Sequence, residues 1–401
     1  MSRITRGWRS GVIAGFVLGL IVAAAGVLAY ALLNDDSDPV TEARSVIEDN
    51  YFKPTSAEQL DEDSINGMVE AIKKRNDDKF SHYFNPDQLK AFESSTSGRF
   101  SGVGLTVTEV PRGLRVARVF PDTPAANHGL RVGDVIIGVD DKSIKGVSSD
   151  VSTARIKGPP GSEVELRIDP VEGPPRNVTL ERADVRIPAV QGRIVHSDGN
   201  KLGYVYFGTF SSGAHGELRN ELEQLYREGA EGVVLDLRGN GGGLLNEAVL
   251  CASIFVDHGV IVSTESRTQG DRQYNAVGDA IDPHPMVVLV DRNTASAAEI
   301  LTAAMKYYDV ATVVGTRTYG KGTFQEVIHL PSGGALDLTI GQYLPADGKS
   351  ILGTGVKPEV HAVDNPHTPK GKPVPPTSNV LPLPPEDEGL DKALQVLDQE
   401  L

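Results

Sequence analysis

DRNTASAAEI (Asp291–Ile300) and TYGKGTFQ (Thr318–Gln325) bound the stretch that decides the fold. An apolar run of strand character, Met286–Val290, leads into it. Asn293 or Thr294 is placed to cap a helix running through Ile300, Leu301 and Ala304 to Tyr308. Ser296 then falls in the first turn of that helix. Free backbone N–H groups there, that of Ala297 among them, can support an oxyanion beside the serine hydroxyl. Lys321 stands between Gly320 and Gly322, just ahead of a strand-like run. A serine needs a base to lose its proton, and a buried neutral lysine can be that base. Taken alone, the two residues would read as a capping serine and a turn lysine. The words around them change that reading.

TASAAEI, YGKGTFQ and GQYLPADGKSILGTGVKPEV (Gly341–Val360) resemble the C-terminal processing peptidases, also called tail-specific proteases. DLRGNGGG (Asp236–Gly243) and a PDZ-like stretch from Gly102 resemble the same family in the same order, and the resemblance covers about residues 40 to 362. It implies a serine protease with a Ser–Lys dyad assisted by a glutamine, roles that fall on Ser296, Lys321 and Gln325. It also implies an α/β core of the ClpP/crotonase type with an inserted PDZ domain, rather than a Rossmann fold.

Composition argues against a nucleic-acid binder. The formal net charge is −15 and the pI near 5.1, whereas a nucleic-acid partner calls for a basic face. The single cysteine, Cys251, excludes a disulfide framework within the chain and lies in an apolar run, where it reads as a packing residue. The nine histidines show no HExxH or similar spacing. No metal and no cofactor are expected.

At the amino end, residues 11–33 carry no charge, which is long enough for a hydrocarbon core needing about 20 residues. Arg3, Arg6 and Arg9 precede this stretch, and Asp35, Asp36 and Asp38 follow it. The positive-inside rule then gives a cytoplasmic tail (1–10), a single transmembrane anchor (11–33) and a catalytic part outside the cytoplasm. A cleaved signal peptide is the competing reading, since Ala29-Tyr30-Ala31 resembles a cleavage site. Residues 36–94 read as an amphipathic N-terminal helical region, with Val46, Ile47, Tyr51 and Ile65, Met68, Val69, Ile72 at helical spacings. Such helices in the resembled family contribute to subunit contacts as well as packing.

Residues 97–187 are expected to form the PDZ domain. Gly102, Val103, Gly104 and Leu105 resemble the loop whose amides grip a peptide's terminal carboxylate, and Ser148–Ile156 reads as the helix lining the groove. An extended peptide adding a strand there and filling an apolar pocket makes proteins with apolar C-termini the expected substrates. Lys157 lies where relatives in the resembled family carry a basic residue that couples the groove to the active site; a solvated surface lysine is the alternative.

The protease core is expected over 188–362, with strand and helix alternating as in a largely parallel sheet. In DLRGNGGG the glycines sit between strand and helix. That place suits a phosphate cradle, but the GK[ST] ending of a P-loop is missing. The same physics makes an oxyanion hole, and family alignment points to the Gly242 amide, to within one position, as partner of the Ala297 amide. Gln325 cannot exchange protons near neutral pH, so its expected role is to orient Lys321. A Ser–His–Asp triad is disfavoured because no GxSxG elbow is present. Glu299 reads as a first-turn carboxylate favoured by the helix dipole and is left outside the site.

Eight prolines make 363–386 a linker, and apolar spacing resumes in a C-terminal helix over 387–401, which reads equally as a docked element and as a frayed tail. The expected function is a membrane-anchored, exported serine endopeptidase acting on protein C-termini. A catalytically silent PDZ adaptor is the alternative. Expected partners are protein or peptide substrates, the membrane, a second copy of the chain and an activating adaptor protein, with no nucleic acid.

Overall fold

The computed structural model describes residues 38–363 and 387–401. The chain divides into two units, one ending at Tyr83 and one beginning at Phe84. The first holds two helices, Pro39–Asn50 and Ala57–Asn76, capped by Asp38 and Ser56 and joined by an Arg44–Asp61 ion pair at 2.7 Å. Val46, Ile47, Tyr51, Phe52, Met68 and Ile72 in this unit are exposed.

One expectation is corrected. The fold class read from the sequence included a transmembrane helix, but among the described residues no helix is long and apolar enough to cross a membrane. The stretch 11–33 on which that reading rested lies outside the described residues.

In the second unit, five antiparallel strands form the main path of a six-stranded PDZ sheet, with the short strand Lys142–Ser143 paired to the third of them. Leu105–Val110, Gly113–Val119, Val135–Val139, Glu163–Asp169 and Arg176–Glu181 lie side by side in chain order. Alternation decides which side chains go inward: in Glu163–Asp169, Val164, Leu166 and Ile168 are buried. They pack with Leu114, Val116, Ile136, Ile144 and Leu180. Just outside this domain, Arg99–Gly102 pairs antiparallel with Ala183–Arg186, so the strand that enters the PDZ domain is tied to the one that leaves it.

The peptidase core is built on a six-stranded sheet. Val190–Ser197 pairs antiparallel with Asn200–Phe207, and Val233–Asp236, Met286–Val290, Thr312–Gly315 and Val360–His361 follow in parallel. Every residue of Val233–Asp236 and Met286–Val290 is buried, because the sheet is covered on both faces. Val233, Leu235, Val288, Val290 and Val313 face the helices Ala214–Arg227, Leu245–Ser253 and Ala297–Tyr307. The alternate residues Val234, Val287, Leu289 and Val314 face the C-terminal helix, Glu388–Glu400. The undecided tail of the sequence is therefore a docked layer. A second sheet carries the long strand Ala335–Pro345 between Thr323–His329 and Val260–Ser266.

Candidate active site

The helix Ala297–Tyr307 begins one residue after Ser296, not at the cap expected at Asn293 or Thr294. Those residues instead close a tight turn on Asp291, whose carboxylate accepts the amides of Asn293 and Thr294 at 3.0 and 2.9 Å. Ile300, Leu301, Ala304 and Met305 sink the helix into the core. Ser296 has φ 57° and ψ −120°. A positive φ at a residue with a Cβ costs of order 1–3 kcal/mol and persists only where the surroundings enforce it. The amide of Ala297 is the first of the helix and has no intrahelical carbonyl to bond.

Glu299 is what enforces this geometry. It is fully buried, and its carboxylate collects four donors from two separate segments. One oxygen accepts from Thr318 Oγ1 and the Gly320 amide at 2.5 and 2.7 Å. The other accepts the Ser296 and Lys321 amides, each at 2.9 Å. The serine and the lysine thus share one carboxylate oxygen through their backbones. By sequence alone Glu299 reads as a helix-dipole charge. Its place three residues after the capping serine was a visible signal, the capping box, but its bonds to Thr318, Gly320 and Lys321 were not.

The glycines flanking Lys321 have a packing reason. A Cβ on Gly320 would come within 2.9 Å of the Gly355 amide, and one on Gly322 within 2.7 Å of the Leu352 amide. Lys321 is half-buried between them. Gln325 lies opposite Thr339 in the adjoining strand, next to a bulge, and its Nε2 donates to Thr339 Oγ1 at 3.1 Å. Tyr343 is a further residue that the sequence did not single out. It is 1% exposed, with its hydroxyl near that of Ser296. Burial and then the charge on Glu299 push its phenol well above the ordinary range, while the nearby Ser296 hydroxyl acts the other way.

The loop Arg238–Gly243 lies directly against the serine. A Cβ on Gly242 would fall 2.7 Å from Ser296 Cβ and 2.9 Å from the Ala297 nitrogen, so only glycine allows this approach. The Gly242 amide donates to Asn240 Oδ1 at 2.8 Å. Asn240 is itself buried, donating from Nδ2 to the Phe207 carbonyl and accepting the Ala295 amide on its own carbonyl. Among the described residues no group of three or more His, Cys, Asp or Glu is placed to hold a metal ion.

Comparison with known proteins gives the chain a family. A profile described as peptidase family S41 matches residues 201–362, and a PDZ domain profile matches residues 93–169. The carboxy-terminal processing protease CtpA of Bacillus subtilis is 31% identical over 81% of this chain and 68% of its own length. The chain belongs to peptidase family S41. The carboxy-terminal-processing protease of Bartonella bacilliformis is 33% identical over 77% of this chain and 71% of its length. A solved photosystem II D1 C-terminal processing protease is 32% identical, covers 80% of this chain and 92% of its own, and superposes with a TM-score of 0.47. This S41 peptidase is a serine-type peptidase of the carboxy-terminal processing group, and its PDZ domain makes peptides or proteins the ligands.

In the PDZ domain of this S41 peptidase, Val103 is buried and Leu105 half-buried at the start of its strand. The carbonyls of Val103 and Gly104 accept the amides of Ala125 and Phe120 at 2.8 and 3.0 Å, fixing the loop from within. Gly102 is buried against the Phe100 ring, and Gly104, at φ 87°, leaves no room for a Cβ beside Thr123. Lys157 is exposed at the end of the groove helix Ser149–Ile156. That end is held by Arg182, a residue that no sequence motif marks. Its guanidinium donates to the carbonyls of Ile156 and Arg155 at 2.8 and 3.0 Å and to that of Glu163 at 2.7 Å.

Proposed function

We propose that this S41 peptidase is an endopeptidase that cleaves proteins delivered by an apolar C-terminus, using Ser296 as nucleophile and Lys321 as base. The observation that carries the reading is the shared oxygen of Glu299, which brings the Ser296 and Lys321 amides to one point. In the proposed step, neutral Lys321 takes the Ser296 proton as the hydroxyl oxygen attacks the scissile carbonyl. The Ala297 amide and the glycine loop receive the oxyanion, and the lysine returns its proton to the leaving amine. Water then hydrolyses the acyl-enzyme. For Gly242 to contribute, its N–H has to leave Asn240 Oδ1, a movement that substrate entry would drive. Gln325 acts by orienting the lysine.

The PDZ loop at Gly102–Leu105 supports recognition of the substrate's tail. The uncharged stretch behind three arginines at the amino end supports export, so that the enzyme acts outside the cytoplasm. The exposed apolar side chains of the two amino-terminal helices support self-association. An activating adaptor protein stays among the proposed partners.

The test incubates the full chain with an unstructured protein ending in apolar residues, beside Ser296→Ala, Lys321→Ala and a substrate with a charged tail. Cleavage by the parent alone, faster on the apolar tail, is expected. Equal cleavage by the parent and Ser296→Ala would reject the nucleophile.

A further inference from the structure

The C-terminal helix Glu388–Glu400 lies beyond the stretch matched by the S41 profile, yet it is built into the peptidase. Leu390, Ala393, Val396 and Leu397 are buried on the face of the sheet opposite the serine helix. At the helix's far end, the Asp398 carboxylate accepts from Ser197 Oγ and Asn200 Nδ2 at 2.5 and 2.9 Å. At the near end, Asp387 caps the helix by accepting the Leu390 amide at 3.1 Å.

Asp387 does more than cap. Its two oxygens accept from Arg238 Nη1 and Nη2, each at 2.8 Å. Arg238 also grips Asp236, with Nε 3.0 and 3.1 Å from its two oxygens and Nη2 2.6 Å from one. Tyr204 donates its hydroxyl to the same Asp236 at 2.8 Å. Both carboxylates are 3% exposed as side chains. The guanidinium, its side chain 15% exposed, is thus clasped between two acids at the base of the Arg238–Gly243 loop.

A cap needs only one oxygen, and a neutral Ser or Asn supplies it equally well. Taking an ion triad out of water is costly before pairing returns the loss, and an apolar seal would hold the helix as firmly. What a seal would not do is fix the orientation of the loop. Bidentate bonds do so because the planar guanidinium fork admits one arrangement. Next in the chain, the Gly239 amide donates to Asp291 Oδ1 at 2.9 Å, and Asn240 and Gly242 carry the loop to the serine.

We infer that Arg238 and Asp387 are positioning residues for the oxyanion loop, through which the C-terminal helix holds Arg238–Gly243 against Ser296 and Ala297. This rests on the proposed role of that loop. The test compares two variants of the full chain. Asp387→Asn weakens the grip on Arg238, whereas Asp398→Asn loosens the far end of the same helix without touching the loop. Losing an oxyanion donor costs about 10²–10³ in rate, and a displaced donor loses part of that. Asp387→Asn is therefore expected to lower kcat about tenfold, with KM changed less than about twofold, and to speed amide hydrogen exchange at 236–243 without substrate. Asp398→Asn is expected to lower Tm comparably, yet leave kcat and loop exchange at parental values. Parallel changes in the two variants, or parental kcat and exchange in Asp387→Asn, would overturn the inference. If the parent cleaves nothing, the proposed function falls, and loop exchange alone decides this point: faster in Asp387→Asn only, it stands; otherwise it fails.

Discussion

Replacing Glu299 with Gln tests whether the buried carboxylate joins the two halves of the site or merely favours the helix dipole. The carboxylate accepts four bonds at 2.5–2.9 Å. The amide keeps one oxygen and puts an NH₂ in place of the other. With that NH₂ toward Thr318, the hydroxyl can turn to accept, but the Gly320 amide is left facing a donor. With the NH₂ the other way, the Ser296 and Lys321 amides both lose their acceptor. The first arrangement is cheaper. It leaves one buried N–H unsatisfied, at about 1–3 kcal/mol, and weakens the remaining bonds from charge-assisted to neutral. The expected destabilisation is about 3 kcal/mol. A helix-dipole role would predict about 0.3–1 kcal/mol and no effect on turnover. Misplacing a catalytic group by about 1 Å costs about 10² in rate. We therefore expect kcat to fall 10- to 100-fold in Glu299→Gln. Glu299→Asp keeps the charge but cannot span both segments, and a loss of kcat at least as large is expected. Denaturant unfolding and steady-state kinetics on one peptide substrate give both numbers. Parental kcat together with a destabilisation below about 1 kcal/mol would refute the clamp.

Ser296→Gly should abolish cleavage while raising stability by about 1 kcal/mol, since glycine relieves the positive φ at some cost in backbone entropy; chemical denaturation measures it. Gly104→Ala should weaken binding of apolar C-terminal peptides at least tenfold by calorimetry, because its Cβ would sit 2.3 Å from Thr123, while turnover of short peptides that bypass the groove stays near parental. Lys157→Ala should lower cleavage of long substrates and spare short ones if the lysine couples groove to active site; equal rates on both would remove it from the mechanism. Burial alone would raise the Asp387 pKa, yet the hydrogen bond and charge of Arg238 bring it below the ordinary value. A depressed folded pKa gives stability that is fully present above the unfolded value of about 3.9 and is lost as pH falls through the folded one. The parent should therefore lose stability more steeply than Asp387→Asn as pH drops below about 4, as acid titration of Tm would reveal.

The sequence by itself carried whatever is local. The uninterrupted apolar runs at Val233–Leu235 and Met286–Val290 announce strands covered on both faces, and the glycine loop and the TASAAEI and YGKGTFQ words mark where chemistry is concentrated. Apolar spacing also gave the C-terminal helix, but a helix reveals its partner only when a complementary face exists, and that face is assembled from Leu202, Val234, Val287 and Val314 on separate strands. The tertiary structure alone decided what joins those words. It set the positive φ of Ser296, the approach of Gly242 to the serine and the four donors on Glu299. It also set the Arg238–Asp387 grip between residues 149 positions apart. The physical reason is common to all four. A buried carboxylate or a strained backbone is tolerated only when partners from distant segments satisfy it, and a linear pattern does not record which segments meet.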